Sequence, residues 1–102
     1  MVKKISRNNM EEAMKGMALV DFSAKWCGPC NMLAPVIEEL SEEMAEQLNF
    51  YNVDTDNNEE LAFKYKIMSI PALVLLKDGV EADRSIGFLP KAALKEFIEK
   101  NI

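Results

Sequence analysis

Apolar and polar residues alternate along this chain with two different periods, and the switches between them predict the elements. Met17-Ala18-Leu19-Val20-Asp21-Phe22 is a nearly continuous apolar run of strand length, as expected of a central strand covered on both faces. Leu33, Val36, Ile37, Leu40, Met44 and Leu48 then recur every three or four residues, the mark of an amphipathic helix, which Pro35 is expected to kink. Phe50, Tyr51 and Val53 suggest another strand. Ala72 to Leu76 and Val80 to Ile86 flank Asp78-Gly79 as the arms of a β-hairpin. Leu94, Phe97 and Ile98 form the inner stripe of a closing helix, with Pro90 near its first turn.

Weaker signals complete the order. Val2 to Ile5 fits a short edge strand. Asn9 with Glu12, and Asp56 with Glu59, have the three-residue spacing of capping boxes, predicting short helices through Met14 and through Tyr65. The resulting order, β-α-β-α-β-α-β-β-α, predicts an α/β fold: a mixed sheet with helices on both faces. No repeat, low-complexity tract or Gly/Ser linker interrupts it, so residues 1–102 read as one domain.

Composition narrows the function. With 102 residues, 49% of them apolar, the chain can bury a core without metal or disulfide staples, which leaves its two cysteines free for chemistry. A net charge of -5 argues against nucleic acid as a partner. The absence of histidine removes Cys-His and Ser-His catalysis and the commonest zinc ligand. Met1 to Arg7 is not followed by the apolar stretch of a signal peptide, and the longest apolar run, Ile70 to Leu76, is too short to span a bilayer. The expected location is therefore the cytoplasm, where a lone cysteine pair is more often catalytic or metal-binding than a staple. Glu38, Glu39, Glu42, Glu43 and Glu46 read as the solvated face of the long helix. Most of the seven methionines read as core filling, with Met68 the exception, near the rim of any groove beside Ile70-Pro71.

Cys27-Gly28-Pro29-Cys30 carries the chemistry. It lies between an apolar strand and an amphipathic helix, so the two sulfurs fall at the first helical turn, three residues apart and within reach of a disulfide. Unpaired N–H groups and the positive end of the helix dipole favour a thiolate on Cys27, which is expected to attack while Cys30 resolves. Half a zinc site would lack two ligands, and a static disulfide over so short a loop would constrain little chain entropy.

The run Val20-Asp21-Phe22-Ser23-Ala24-Lys25-Trp26-Cys27-Gly28-Pro29-Cys30, with Ala34-Pro35, Val53-Asp54, Ile70-Pro71-Ala72-Leu73, Lys77-Asp78-Gly79 and Gly87, resembles the thioredoxin family over essentially the whole chain. The resemblance implies a monomeric thiol-disulfide oxidoreductase that reduces protein disulfides and is re-reduced by a thioredoxin reductase, without cofactor or metal. It implies Cys27 as nucleophile, Cys30 as resolving thiol, Asp21 as a buried carboxyl assisting proton transfer and Pro71 as a cis-proline. Trp26, Gly28, Pro29, Ile70, Pro71 and Gly87 would line a docking groove, and Pro35 would be structural. Three positions depart from the family pattern: Ser23, Asn31 and Phe50. Phe50 stands four residues before Asp54, where relatives often carry a lysine near the buried carboxyl, so Asp21 is expected to lack a cation and to hold its proton above the usual range. Lys25 places a positive charge two residues before Cys27. Two other classes compete, a partner-binding clamp with incidental cysteines and a disulfide donor or isomerase. The intact pair with Asp21 and Pro71 argues against the first, and Gly28-Pro29 and the absent signal peptide against the second.

Overall fold

The computed structural model describes residues 1–102. Five strands, β1 (Val2–Ile5), β2 (Met17–Ser23), β3 (Asn49–Asp54), β4 (Ala72–Lys77) and β5 (Val80–Ile86), form one sheet in the order β1-β3-β2-β4-β5. β1 and β2 run parallel to β3, whereas β4 is antiparallel to both β2 and β5. The helices are α1 (Gly28–Glu43), α2 (Glu59–Lys64) and α3 (Lys91–Glu99).

Strand periodicity divides the core into two layers. Ala18, Val20 and Phe22 of β2 pack with Tyr51, Val53, Val74, Leu76 and Leu61 of α2 on one face. Leu19, Phe50, Leu73 and Leu75 meet Leu33, Ile37 and Leu40 of α1 and Leu94, Phe97 and Ile98 of α3 on the other. The sheet therefore carries helices on both faces, and the unbroken apolar runs of β2 and β4 are the strands buried on each side. Asp78 and Gly79 both have positive φ, +48° and +84°, as a two-residue hairpin turn needs.

Three local expectations are corrected. No helix forms over Asn9 to Met14, where only Glu11 to Met14 are in turns. Asn9 Oδ1 accepts the N–H of Glu11, two residues on, Arg7 and Asn8 have positive φ, and Glu12 pairs with Lys3, so a single turn never propagates. Asp56 does not cap α2, whose N-cap is Asn58. The N–H of Leu61 in its first turn is instead held by Asn8 Oδ1 at 3.1 Å, a cap supplied from 53 residues away. Finally, α1 stops at Glu43 and Met44 to Leu48 reverse the chain toward β3, although Met44 and Leu48 still reach the core. Sixteen helical residues span about 24 Å, after which the next strand has to start.

Pro35 sits inside α1, exposed, and the helix continues through it. Of the methionines, Met10 and Met44 are buried, Met14 and Met17 partly so, and Met1, Met32 and Met68 exposed. Core filling thus describes the first four only. No helix is long and apolar enough to cross a membrane.

Candidate active site: the disulfide at the start of helix α1

β2 ends at Ser23, and a short loop delivers Cys27 to the N-cap of α1. Its backbone is extended, φ -88° and ψ 112°, and its Sγ accepts the N–H of Cys30 at 3.2 Å. A sulfur thus takes the place a serine or aspartate oxygen commonly holds at a helix start. Pro29 fits within the first turn because its missing N–H had no intrahelical partner there. Cys27 and Cys30 are joined by a disulfide with a Cα separation of 5.2 Å, within the ordinary range. The bond lies just beneath the surface, with both cysteines buried against Ala24 and the half-buried Ile70.

Pro71 follows a cis peptide bond from Ile70. The Ile70 carbonyl oxygen lies 3.9 Å from Cys27 Sγ. Gly87, with φ +97°, donates its N–H to the Pro71 carbonyl at 2.8 Å, bringing the end of β5 beside the cis-proline loop. Gly28 and Pro29 are exposed, and Trp26 is 72% exposed on the same loop. The indole does not swing freely, because its Nε1 donates to Asp56 Oδ2 at 2.9 Å. Asp56, whose spacing to Glu59 suggests a helix cap, thus belongs to this region instead. Trp26, Gly28 and Pro29 flank Cys27 in the chain, Ile70 reaches its sulfur from the cis-proline loop, and Gly87 adjoins that loop through Pro71.

The other side of the disulfide is polar. Asp21 lies in β2 on the α1-facing side, 5% exposed, and burial pushes its carboxyl up to about 6, opposed by a hydrogen bond from Asn52. The parallel register sets Asp21 opposite Asn52, while Phe50 lies opposite Leu19 in the apolar core. The expectation that Phe50 fills the position facing Asp21 is therefore corrected. Counting in twos along β3 separates Phe50 and Asn52 by one inward position, and only the register says which of them meets the carboxyl. No cation is hydrogen-bonded to Asp21; its one side-chain partner is the Asn52 amide, 3.1 Å from Oδ2. Asp21 and Cys30 both line a cleft of about 490 Å³ that opens between α1, β1 and the ends of β2 and β3.

Lys25 is exposed and makes no ion pair, and its carbonyl accepts the side-chain amide of Asn31 at 3.1 Å. No group of three or more His, Cys, Asp or Glu side chains is arranged to hold a metal ion. Chemically, the arrangement is a two-electron couple that can open to a dithiol and close again by attack on another disulfide.

Comparison with known proteins agrees with the site. The family profile for Thioredoxin matches residues 1–100. The chain is 48% identical over 101 residues to a thioredoxin of Bacillus subtilis, covering 99% of this chain and 97% of that protein. It is 43% identical over 102 residues to a thioredoxin of Staphylococcus saprophyticus, covering 99% and 98%. Against a thioredoxin of Staphylococcus aureus it is 46% identical over 87 residues, 85% of this chain and 84% of that one. A profile match along nearly the whole chain, relatives of this identity and a Cys-Gly-Pro-Cys disulfide capping a helix behind a central strand place the chain in the thioredoxin family.

Proposed function

We propose that this thiol-disulfide oxidoreductase reduces disulfides in protein substrates, with Cys27 attacking, Cys30 resolving and Asp21 accepting the proton that Cys30 must lose. The observation that carries the assignment is Cys27 Sγ at the N-cap of α1, where it accepts the Cys30 N–H. A thiolate there gains a hydrogen bond and the positive end of the helix dipole, while Cys30, one turn further in, gains neither. Cys27 attacks one sulfur of the substrate disulfide, and the first substrate thiolate leaves. Cys30 passes its proton to Asp21 and attacks Cys27 Sγ. The second substrate thiolate leaves with the electron pair, and the Cys27–Cys30 disulfide forms.

Trp26, Gly28, Pro29, Ile70, Pro71 and Gly87 form the docking surface in this reading. The exposed indole and the backbone of Ile70 beside the sulfur suit an extended peptide laid along the loop. A thioredoxin reductase returns the dithiol, and the chain acts as one domain over residues 1–102, as a monomer, in the cytoplasm. The crowded acidic face of α1 suits a solvated surface better than a self-association patch.

Trapping tests the assignment. The reduced Cys30→Ser variant is expected to accumulate a mixed disulfide with a protein substrate, and Cys27→Ser to be inactive. Trapping by Cys27→Ser with an inert Cys30→Ser would reverse the two roles. Failure of the wild type to turn over any protein disulfide would favour a clamp.

A further inference from the structure

The face of β2 and β3 that meets α1 is apolar at Leu19 and Phe50 and turns polar one position on, at Asp21, Ser23, Asn52 and Asp54. Asn52 organises this end. Its side-chain nitrogen lies 3.1 Å from Asp21 Oδ2, 2.8 Å from Ser23 Oγ and 3.4 Å from the main-chain oxygen of Asp21. A main-chain carbonyl can only accept, so the group facing it is the amide NH₂, and its two hydrogens serve all three oxygens. Asp21 Oδ2 is thereby engaged as an acceptor. Asp21 Oδ1 is buried with no partner.

We propose that Asn52 is a positioning residue for the resolving step: by holding Oδ2 as an acceptor, it makes Oδ1 the oxygen that takes the proton from Cys30. A neutral carboxyl has one hydroxyl and one carbonyl oxygen, and the carbonyl oxygen is the better acceptor. With Asn52 donating to Oδ2, the hydroxyl belongs on Oδ1. When Cys30 ionises, its proton crosses the shared cleft to Oδ1, the S–S bond to substrate breaks as the Cys27–Cys30 bond forms, and the substrate thiolate carries away the electron pair. Asp21 then returns the proton to solvent. The same N–H also offsets part of the penalty that burial places on the charged carboxylate.

The ionisable groups around the cleft are Cys30 and Glu38 on α1, Lys4 on β1, Lys25 in the loop and Asp54 at the end of β3, none of them hydrogen-bonded to Asp21. β4 places Leu73 opposite Asp21 and contributes no charge. Asn52 is therefore the one side chain through which the surroundings grip this carboxyl.

The inference rests on Asp21 as proton acceptor, and the test separates the two. Reduced protein is mixed in single turnover with excess of a small aromatic disulfide; the first thiolate released reports attack by Cys27 and the second reports resolution by Cys30. In parallel, the Asp21 carboxyl carbon is titrated by NMR in the oxidised protein. In Asn52→Leu, which keeps the bulk and loses both N–H groups, the carboxyl midpoint should rise by about one pH unit. The pH profile of resolution should move alkaline by the same amount, with attack unchanged. Asn52→Ser, too short to reach Oδ2, should do likewise, and Asn52→Lys, which again supplies N–H donors, should return both midpoints to the wild-type value or below. A carboxyl midpoint unmoved in the Leu and Ser variants, or a resolution profile that fails to follow it, overturns the role of Asn52. Resolution at the wild-type rate in Asp21→Asn overturns the role of Asp21 itself, and with it this one.

Discussion

The two sulfurs of one disulfide sit in surroundings of opposite kinds. The polar neighbours of Cys27 are backbone groups: the N–H of Cys30, the start of α1, the carbonyl of Ile70. Cys30 shares its cleft with side chains, namely Asp21, Asn52 and Ser23. Backbone groups persist whatever residue carries them, so the attacking sulfur is tuned by the fold. The resolving sulfur is tuned by a few replaceable side chains, one of which, Ser23, departs from the family pattern, while the Cys-Gly-Pro-Cys turn is intact. Attack and resolution should accordingly respond to different substitutions.

The sharpest way to break that contrast is Asp21→Asn. Removing the proton acceptor should slow resolution about a hundredfold while leaving attack by Cys27 within about twofold, measured as the two phases of a single-turnover reaction; equal slowing of both would show that the two sulfurs share one environment. The same variant carries a stability signature. Asp21 titrates at about 6 in the folded protein against an ordinary value of 3.8, so the folded state binds its proton more tightly than the unfolded state. The stability this proton contributes is full below pH 3.8, falls as pH rises through 6, and above that is lost, a penalty of about 3 kcal/mol. Asp21→Asn removes the charge but leaves an amide N–H short of a partner, so the oxidised variant should be about 2 kcal/mol more stable than wild type at pH 8. The gain should disappear toward pH 4, as followed by denaturant unfolding at a series of pH values.

A control away from both sulfurs sharpens the contrast further. Asn8→Ala removes the remote cap on Leu61 and should cost about 1 kcal/mol of stability, yet move neither kinetic phase. A change in either phase would mean that loosening α2 reaches the disulfide, and the chemical readings of the Asp21 and Asn52 variants would then need correction for stability. The smallest effect is expected at Lys25, exposed and unpaired two residues before Cys27. Lys25→Ala should slow attack on a neutral disulfide by less than about twofold at low salt, and not at all at 0.5 M salt, where charges are screened. A larger, salt-resistant loss would show that the attacking sulfur depends on a side chain after all.

Long periodic signals in the chain match elements of the structure, whereas short polar signals give way to distant competitors. Both capping boxes were lost this way. Asp56 went to the Trp26 indole, Asn9 to a two-residue turn, and the first turn of α2 to Asn8. The partner of Asp21 is hidden from the sequence for a related reason. Phe50 and Asn52 share the α1-facing side of β3, and which of them lies opposite Asp21 depends on how β2 and β3 slide past one another, which no local pattern encodes.

What the sequence determined by itself was therefore the two-layer α/β plan, the hairpin at Asp78-Gly79 and a cysteine pair at the start of a helix. Apolar periodicity, turn residues with positive φ and the i to i+3 spacing act within a few residues of chain. Tertiary structure alone decided that an amide from β3 grips Asp21, that Trp26 leans on Asp56 and that a loop near the N-terminus caps α2. Each of those is a hydrogen bond between groups 30 to 53 residues apart. A donor buried by folding takes whichever acceptor the packed sheet presents to it, and that acceptor is set by register and layer packing, not by its neighbours in sequence.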